Sequence, residues 1–385
     1  MRRAHIERIL GAAVLLGAGA PACTSFPDVS AVVDLRVLAV KADPPDVFLK
    51  VTGLPSDPSA PLDPRALGID PSSIQTIHLE PLLADPPADA AGRKVTFSLS
   101  ACPNDVFGAA PPGSVMGGGM DPGGGANNTV GSTLCDDARV RLSPIPGDFP
   151  NGATADVQLS PADLLTAFKA DVFVDQYGHP HGGFDLGMPL NFQVTATDGV
   201  QMVKAVKRVV FWAKAWPDQM LNQIPTIPSV SVFGHRDEAT FDLQSPMGTL
   251  DLNTPVKTPA HAPLDTGLWL LPEFVDGVTG ETYRPTIIDR DPPYGAIEGD
   301  TTDERIRYAY YATAGHFDPP RAVNQLIPGT TGTIHLESHY IPPSTLDNVP
   351  VDATTGLHLV DVWIVVRDDR GGESWVTSQI ALDPM

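Results

Sequence analysis

Cysteine is scarce in this chain, with three among 385 residues. A cysteine-rich small scaffold is therefore excluded. Aromatic residues make up 7% and charged residues 18%. The sequence contains no HExxH, no GxSxG, no GxxxxGK and no GxGxxG between a strand and a helix, so the familiar zinc-protease, serine-hydrolase and nucleotide-binding signatures are missing. A pair of glycosidase carboxylates has no fixed sequence spacing, and enzymes of that kind are not excluded by pattern. Positive charge is also short: Lys and Arg total 25 against 46 Asp and Glu, a formal charge of −21. Such a surface repels nucleic-acid phosphates and anionic headgroups, so no nucleic-acid partner is expected.

What is abundant is proline and glycine, 40 and 35 residues, beside a 42% hydrophobic fraction. That combination predicts many short elements around a real core rather than long helices. Short runs rich in Val, Ile, Phe, Trp and Thr recur along the chain. They include DLRVLAVKA, KVTFSLSA, DVFVDQY, LNFQVTAT, KRVVFWAKA, TIHLESHY and DVWIVVRDD. Their spacing predicts an all-β chain of antiparallel sandwiches. One short helix is expected at SPADLLTAFKA, where Ser160 caps, Pro161 opens the first turn and Asp163 completes a capping box.

Organisation follows from the breaks. Arg2, Arg3 and Arg8 precede an apolar stretch, Ile9 to Ala20, that is too short to cross a bilayer and has the layout of a secretory signal. Cys23 after small residues reads as a lipidation site, giving a signal peptide over 1–22 and a tether over 23–33. Ordinary cleavage near Ala20 or Ala22 is the other reading. Residues 1–22 carry three Arg and Glu7, a charge of +2, so the processed chain would hold −21 − 2 = −23. Attachment to a membrane would then rest on the acyl chains.

Export makes a disulfide between the remaining Cys102 and Cys135 the expected pairing. It would staple the Gly-rich insertion 103–134, which includes GSVMGGGMDPGGGANNTVGST. Metal ligation by both thiolates is the rival reading. Three prolines between Pro217 and Pro228 mark a linker, dividing a first β-sandwich domain, 34–216, from a second, 229–385. Each half ends on an apolar strand, an Asp/Gly turn and another apolar strand, LNFQVTATDGVQMVKAVKRVV and VDVWIVVRDDRGGESWVTSQIAL. These read as the closing hairpins of two related sandwiches.

VVDLRVLAVKADPPDV soon after the cysteine, NQIPTI at the junction, YAYYATAGHFDPP and the closing VWIVVRDDRGGESW together resemble predicted envelope lipoproteins of myxobacterial type with immunoglobulin-like repeats. The resemblance implies two immunoglobulin-like sandwiches in tandem and a lipid-anchored place in the cell envelope; Thr24 after the cysteine, in place of the Asp that retains some lipoproteins at the inner membrane, points to the outer one. It carries no catalytic residues. The long Gly-rich insertion and the poor lipidation motif depart from the pattern.

Several residues are candidates for chemistry. HLESH places His335, Glu337 and His339 at alternate positions, so on one strand they would share a face and hold a metal such as zinc. A solvated polar face has the same pattern. YGHPHGGFD offers His179, His181 and Asp185 in a turn. The acidic run DRDPPYGAIEGDTTDE has oxygen ligands for calcium, but Tyr294 stands where a calcium loop needs glycine. RDDRGG, 367–372, reads as a charged hairpin turn in which Gly371 and Gly372 supply positive φ. Tyr308 and Tyr310 alternate and share a face, either as an exposed binding platform or as core.

Three functions are compatible with these features: a non-catalytic envelope lipoprotein binding a protein or glycan, a structural spacer, and a secreted metal-dependent hydrolase or carbohydrate-active protein using His335, Glu337 and His339. The first needs no cofactor, and the last needs zinc or calcium.

Overall fold

The computed structural model describes residues 28–53, 68–103, 135–136, 140–171, 173–174, 180–181, 188–212, 221–273, 281–283, 286–288, 296–298, 301–324 and 334–383. Strands dominate. The first module holds β1 (Arg36–Asp43), β2 (Asp46–Phe48), β3 (Ile77–Ala84), β4 (Thr96–Pro103), β5 (Phe149–Pro150), β6 (Ala155–Val157), β7 (Met188–Thr197) and β8 (Met202–Trp212). The second holds β9 (Ser229–Arg236), β10 (Leu243–Thr249), β11 (Ala260–Pro263), β12 (Leu268–Glu273), β13 (Arg307–Ala312), β14 (His316–Asp318), β15 (Arg321–Val323), β16 (Ser338–Ile341), β17 (His358–Arg367) and β18 (Glu373–Asp383).

Each module is two sheets face to face. In the first, β1-β3-β6 lies over β2-β8-β7-β4-β5; in the second, β10-β9-β12-β16-β14 lies over β11-β18-β17-β13-β15. The two copies share one plan. An opening strand pairs antiparallel in one sheet (β1, β9), and a short strand follows in the other sheet, parallel to the last strand of the module (β2 to β8, β11 to β18). The closing hairpin sits inside that second sheet. This is the immunoglobulin-like arrangement of a split first strand over a Greek-key sandwich. Pro44 and Pro45 help to explain the split: neither can donate to a ladder, so β1 ends at Asp43 and the chain crosses to the opposite sheet.

Period-two alternation fills the cores. In β4, Phe97, Leu99 and Ala101 point inward, where they meet Leu79, Phe192, Val194 and Phe211. In the second module Leu268, Leu270, Tyr308, Tyr310, Phe317, Tyr340 and Ile364 do the same. The expected helix is present as α2 (Pro161–Asp171), after a first short helix α1 (Pro86–Ala91). Its capping box is reciprocal: Asp163 N donates to Ser160 Oγ at 3.1 Å, and Ser160 N to Asp163 Oδ2 at 3.3 Å. Leu164, Ala167 and Phe168 face the first core.

Cys102 and Cys135 form a disulfide. It holds the residues after the Gly-rich insertion across β7, where Cys135 N donates to Gln193 Oε1 at 2.8 Å. That cover explains why β7 is buried on both faces, polar Asn191 and Gln193 included.

A third apolar cluster lies between the modules: Val32, Leu38, Ala39, Leu82, Ala84 and Val365, with Tyr311, Trp363 and Trp375 packed on it. Charges fasten its edge. Val40 N and Lys207 Nζ both donate to Glu373 Oε2 at 3.2 Å. Arg367 pairs with the other oxygen of Glu373 and donates to Leu38 O at 2.6 Å. The segment before β1 also reaches the second module, where Val32 N donates to Ala312 O at 2.8 Å and Ala312 N to Ser30 O at 2.9 Å.

Candidate functional site

The HLESH segment does not form a continuous strand, because β16 begins only at Ser338. His335 Nδ1 lies 2.8 Å from Glu337 Oε1. His339 is engaged elsewhere: its Nε2 is 2.8 Å from Thr266 O, which calls for a proton on that nitrogen, and its ring stacks on Trp269 at 4.6 Å and 6°. The structure therefore brings two of the three expected ligands together and turns the third away. Among the described residues no group of three His, Cys, Asp or Glu side chains is arranged to hold a metal.

What surrounds these histidines is a stack of rings around a guanidinium. Arg236, at the end of β9, lies 4.7 Å from the Phe241 ring centroid and 4.8 Å from that of Trp269. Beyond Trp269 comes His339, and beside Phe241 comes His335, centroids 5.6 Å apart. Glu337 is buried and places Oε1 3.5 Å from Arg236 Nη1, balancing the charge. Cation–π contacts of this kind contribute about 0.5–2 kcal/mol each, depending on desolvation.

The β9–β10 loop presents Phe241. Asp237 Oδ1 accepts from Ala239 N and Thr240 N, both at 2.9 Å, and Phe241 N donates to Asp237 O at 2.8 Å. Phe241 takes φ +61 and stays 51% exposed. A bulky residue in left-handed backbone with half its ring in water is held there against its own preferences. Ile334, 43% exposed, is next in the chain to His335. Gly267 fixes the floor: a Cβ there would sit on Tyr340 O, and φ is already +64.

The other sequence candidates fall differently. Tyr308 and Tyr310 do share a face, but it is the core, with 1% and 0% exposure. β13 is interior to its sheet, so its alternate residues point into the sandwich; Tyr310 donates to Leu336 O, and burial raises both hydroxyls far above their ordinary pKa. They offer no binding platform. Cys23, His179 and Asp185 lie outside the described residues, and of His181 only a two-residue strand's backbone is described. Most of the acidic run, Asp289 and Asp291 among it, also lies outside them.

RDDRGG is the charged hairpin turn expected, but one of its carboxylates is buried. Asp368 is 6% exposed. Its Oδ1 accepts from Arg370 N at 2.9 Å and Gly372 N at 2.6 Å, and its Oδ2 from Asn222 Nδ2 at 3.1 Å. The backbone N of Asn222 donates to Asp46 Oδ1 at 3.1 Å. One residue of the connecting segment thus bridges a carboxylate of each module. Burial pushes Asp368 up to about 7, with Glu304 adding to it, and burial pushes Asp46 up to about 6. Arg370 pairs with Glu304 and Glu281 and lies over the Tyr283 ring at 4.5 Å. Gly371 does adopt positive φ, +104, but Gly372 is needed for close approach, since a Cβ would collide with Asp368.

Sequence reasoning missed Arg236, Phe241 and Trp269, as well as the joint residues Asp46, Lys207, Asn222 and Glu373. The signal for Phe241 was an aromatic at the end of the polar turn HRDEATF. An open groove lined by Phe48, Lys50, Val51, Ser72 and Gln75 lies on the first module and involves none of the candidates.

No family model matches this chain, and no curated protein matches it. Among solved structures, Escherichia coli alpha-2-macroglobulin activated by porcine elastase aligns over 93% of this chain, at 11% identity and a TM-score of 0.19. The aligned part is 22% of that chain.

Proposed function

We propose that this chain is a non-catalytic cell-envelope lipoprotein, anchored through Cys23 at the outer membrane, whose second module binds an envelope protein or glycan. The observation that carries the reading is Phe241, exposed in left-handed backbone at the end of a guanidinium–ring stack. Aromatic and Arg side chains fixed in advance lose little freedom on binding, and such groups dominate recognition surfaces. A half-exposed ring, with Ile334 beside the His335 ring that it meets, suits the apolar face of a sugar or an amphipathic protein segment.

The test is co-sedimentation of the purified protein with isolated cell-wall polymer and with outer-membrane proteins reconstituted in vesicles, against the double variant Phe241→Ser, Ile334→Ser. Binding that falls at least tenfold in the variant, with the melting temperature unchanged, is expected. Equal binding by both proteins, or turnover of the polymer, overturns the reading. Intact mass of the processed chain tests the anchor separately: a diacylglyceryl group on Cys23 is expected.

A further inference from the structure

We propose that the turn closing the first module, together with the segment preceding β1, forms an apolar seat that rests in the headgroup region of the membrane holding the lipid anchor. The proposal rests on the lipidation of Cys23 set out above. Among the described residues eight large hydrophobic side chains are exposed, and four of them gather here: Val29 at 57%, Val33 at 51%, Val200 at 75% and Met202 at 64%. One hydrogen bond joins the two segments, and a second ties Val29 back to the start of β1. Leu35 N donates to Gln201 Oε1 at 3.2 Å, and Arg36 Nη1 donates to Val29 O at 3.3 Å.

The turn itself is rigid. Asp198 Oδ1 accepts from Val200 N at 2.8 Å and Gln201 N at 2.6 Å, and Gly199 takes φ +86. Val200 and Met202 are therefore displayed by a fixed hairpin end, in place of a polar turn that would cost nothing to hydrate.

The tether supplies the occupant. Four residues separate Cys23 from Asp28, and five fully extended Cα steps span at most about 18 Å. Asp28 itself is placed: its carboxylate accepts from Ser30 N at 2.8 Å, and Ser30 is clamped to the second module through Ala312 and Phe317. An acylated Cys23 thus cannot hold this end of the molecule far from the bilayer, and Val29 of the seat is the exposed apolar side chain that follows the tether along the chain. The chain is strongly acidic, and Asp28 and Asp34 flank the patch. Contact should then be with uncharged or zwitterionic lipid, and it should resist salt, as burial of apolar area does and attraction to anionic headgroups does not.

The experiment uses the full lipidated chain in phosphatidylethanolamine–phosphatidylcholine vesicles. An environment-sensitive fluorophore is placed at Val200→Cys or Met202→Cys, with Val351→Cys as the reference, since Val351 is 56% exposed but belongs to the second module. Cys102 and Cys135 are bonded to each other and do not label. Brominated lipid is expected to quench positions 200 and 202 several-fold more than position 351, equally at low and molar salt. Equal quenching at all three positions in a chain whose mass shows the diacylglyceryl group overturns the seat and leaves the anchor standing. A chain without that mass overturns the anchor and the seat with it. Blue-shifted emission at 200 and 202 in the absence of lipid would assign the patch to a second copy of the chain and also overturn the proposal.

Discussion

Replacing Asp368 by asparagine isolates the electrostatics of the joint. The folded protein holds this carboxyl up at about 7, against an ordinary 3.8, chiefly because burial disfavours the ion. The sign follows from linkage. A carboxyl whose folded pKa is raised is bound to a proton more readily in the folded state, so ionising it costs stability. That cost is absent below pH 4, grows as pH rises, and is complete above pH 7. A gap of about three pH units corresponds to something on the order of 4 kcal/mol. The neighbours explain why the neutral form fits: Asn222 Oδ1 is buried with no hydrogen-bond partner, and a protonated Asp368, after a flip of the Asn222 amide, could donate to it. In Asp368→Asn the new amide makes that donation at every pH while its oxygen still accepts from Arg370 N and Gly372 N. Unfolding by urea, followed by near-ultraviolet circular dichroism from pH 5 to 8, should show the variant equal to or below the parent at pH 5 and above it at pH 8. The difference should rise by roughly 1.4 kcal/mol per pH unit up to pH 7. Carboxylates with lowered pKa values cancel in that comparison. A difference that stays flat across this range refutes the argument.

Glu373→Ala leaves the buried Lys207 and the partly buried Arg367 without their shared partner, and a loss of about 3 kcal/mol is expected, with a larger radius of gyration by X-ray scattering as the modules part. Gly267→Ala forces a Cβ onto Tyr340 O in left-handed backbone; a loss of at least about 2 kcal/mol, read from the thermal midpoint, is expected. Tyr310→Phe removes only the bond to Leu336 O, so about 1 kcal/mol is the expected cost. Cys102→Ser with Cys135→Ser frees a loop of sequence separation 33, and the chain-entropy model gives a loss of about 3–4 kcal/mol, measurable by urea unfolding under oxidising conditions.

Local pattern was enough for some of the elements, though not for the helix Pro86–Ala91 or for TIHLESHY, whose strand begins only at Ser338. Alternation in KVTFSLSA set the inward positions Phe97 and Leu99, and Ser160, Pro161 and Asp163 marked the start of α2 because a cap is written within four residues. Both closing hairpins were legible because an Asp/Gly turn between two apolar strands leaves few alternatives. What a period of two cannot say is which face is the core. Tyr308 and Tyr310 were seen to share a face, and only the packing of β13 inside its sheet decides that the face is internal. The same limit applied to His335 and His339, whose relation depends on where β16 begins. The ring stack and the joint were not legible at all. Arg236, Trp269 and His339 stand on three different strands, and Lys207 meets Glu373 across 166 positions. Contacts at such separations leave no local spacing to read.

The two modules repeat one plan, and they differ most instructively where the plan is the same. Asp198 and Asp368 occupy equivalent turns between the last two strands of each module. Both are nearly buried, and in both Oδ1 accepts two backbone N–H groups of the turn. The second oxygen decides the rest. Asp198 gives it to Arg93 of its own module at 2.7 Å, and with the Gln201 and Val200 N–H groups its carboxyl is drawn down to about 2. Asp368 gives it to Asn222, a neutral donor on the connecting segment, and there burial, with Glu304 adding to it, outweighs the hydrogen bonds and raises the carboxyl instead. One turn is a closed internal fastening and the other reaches out of its module. Because Lys207 of the first module donates to Gly371 O in that same turn at 2.7 Å, moving one module against the other would break hydrogen bonds to buried charged groups, which are among the costliest to leave unmade. The hairpin end that closes the first sandwich is matched, in the second, by the place where the two are held at a fixed angle, and the exposed ring of Phe241 is thereby carried on a body that does not swing on its linker.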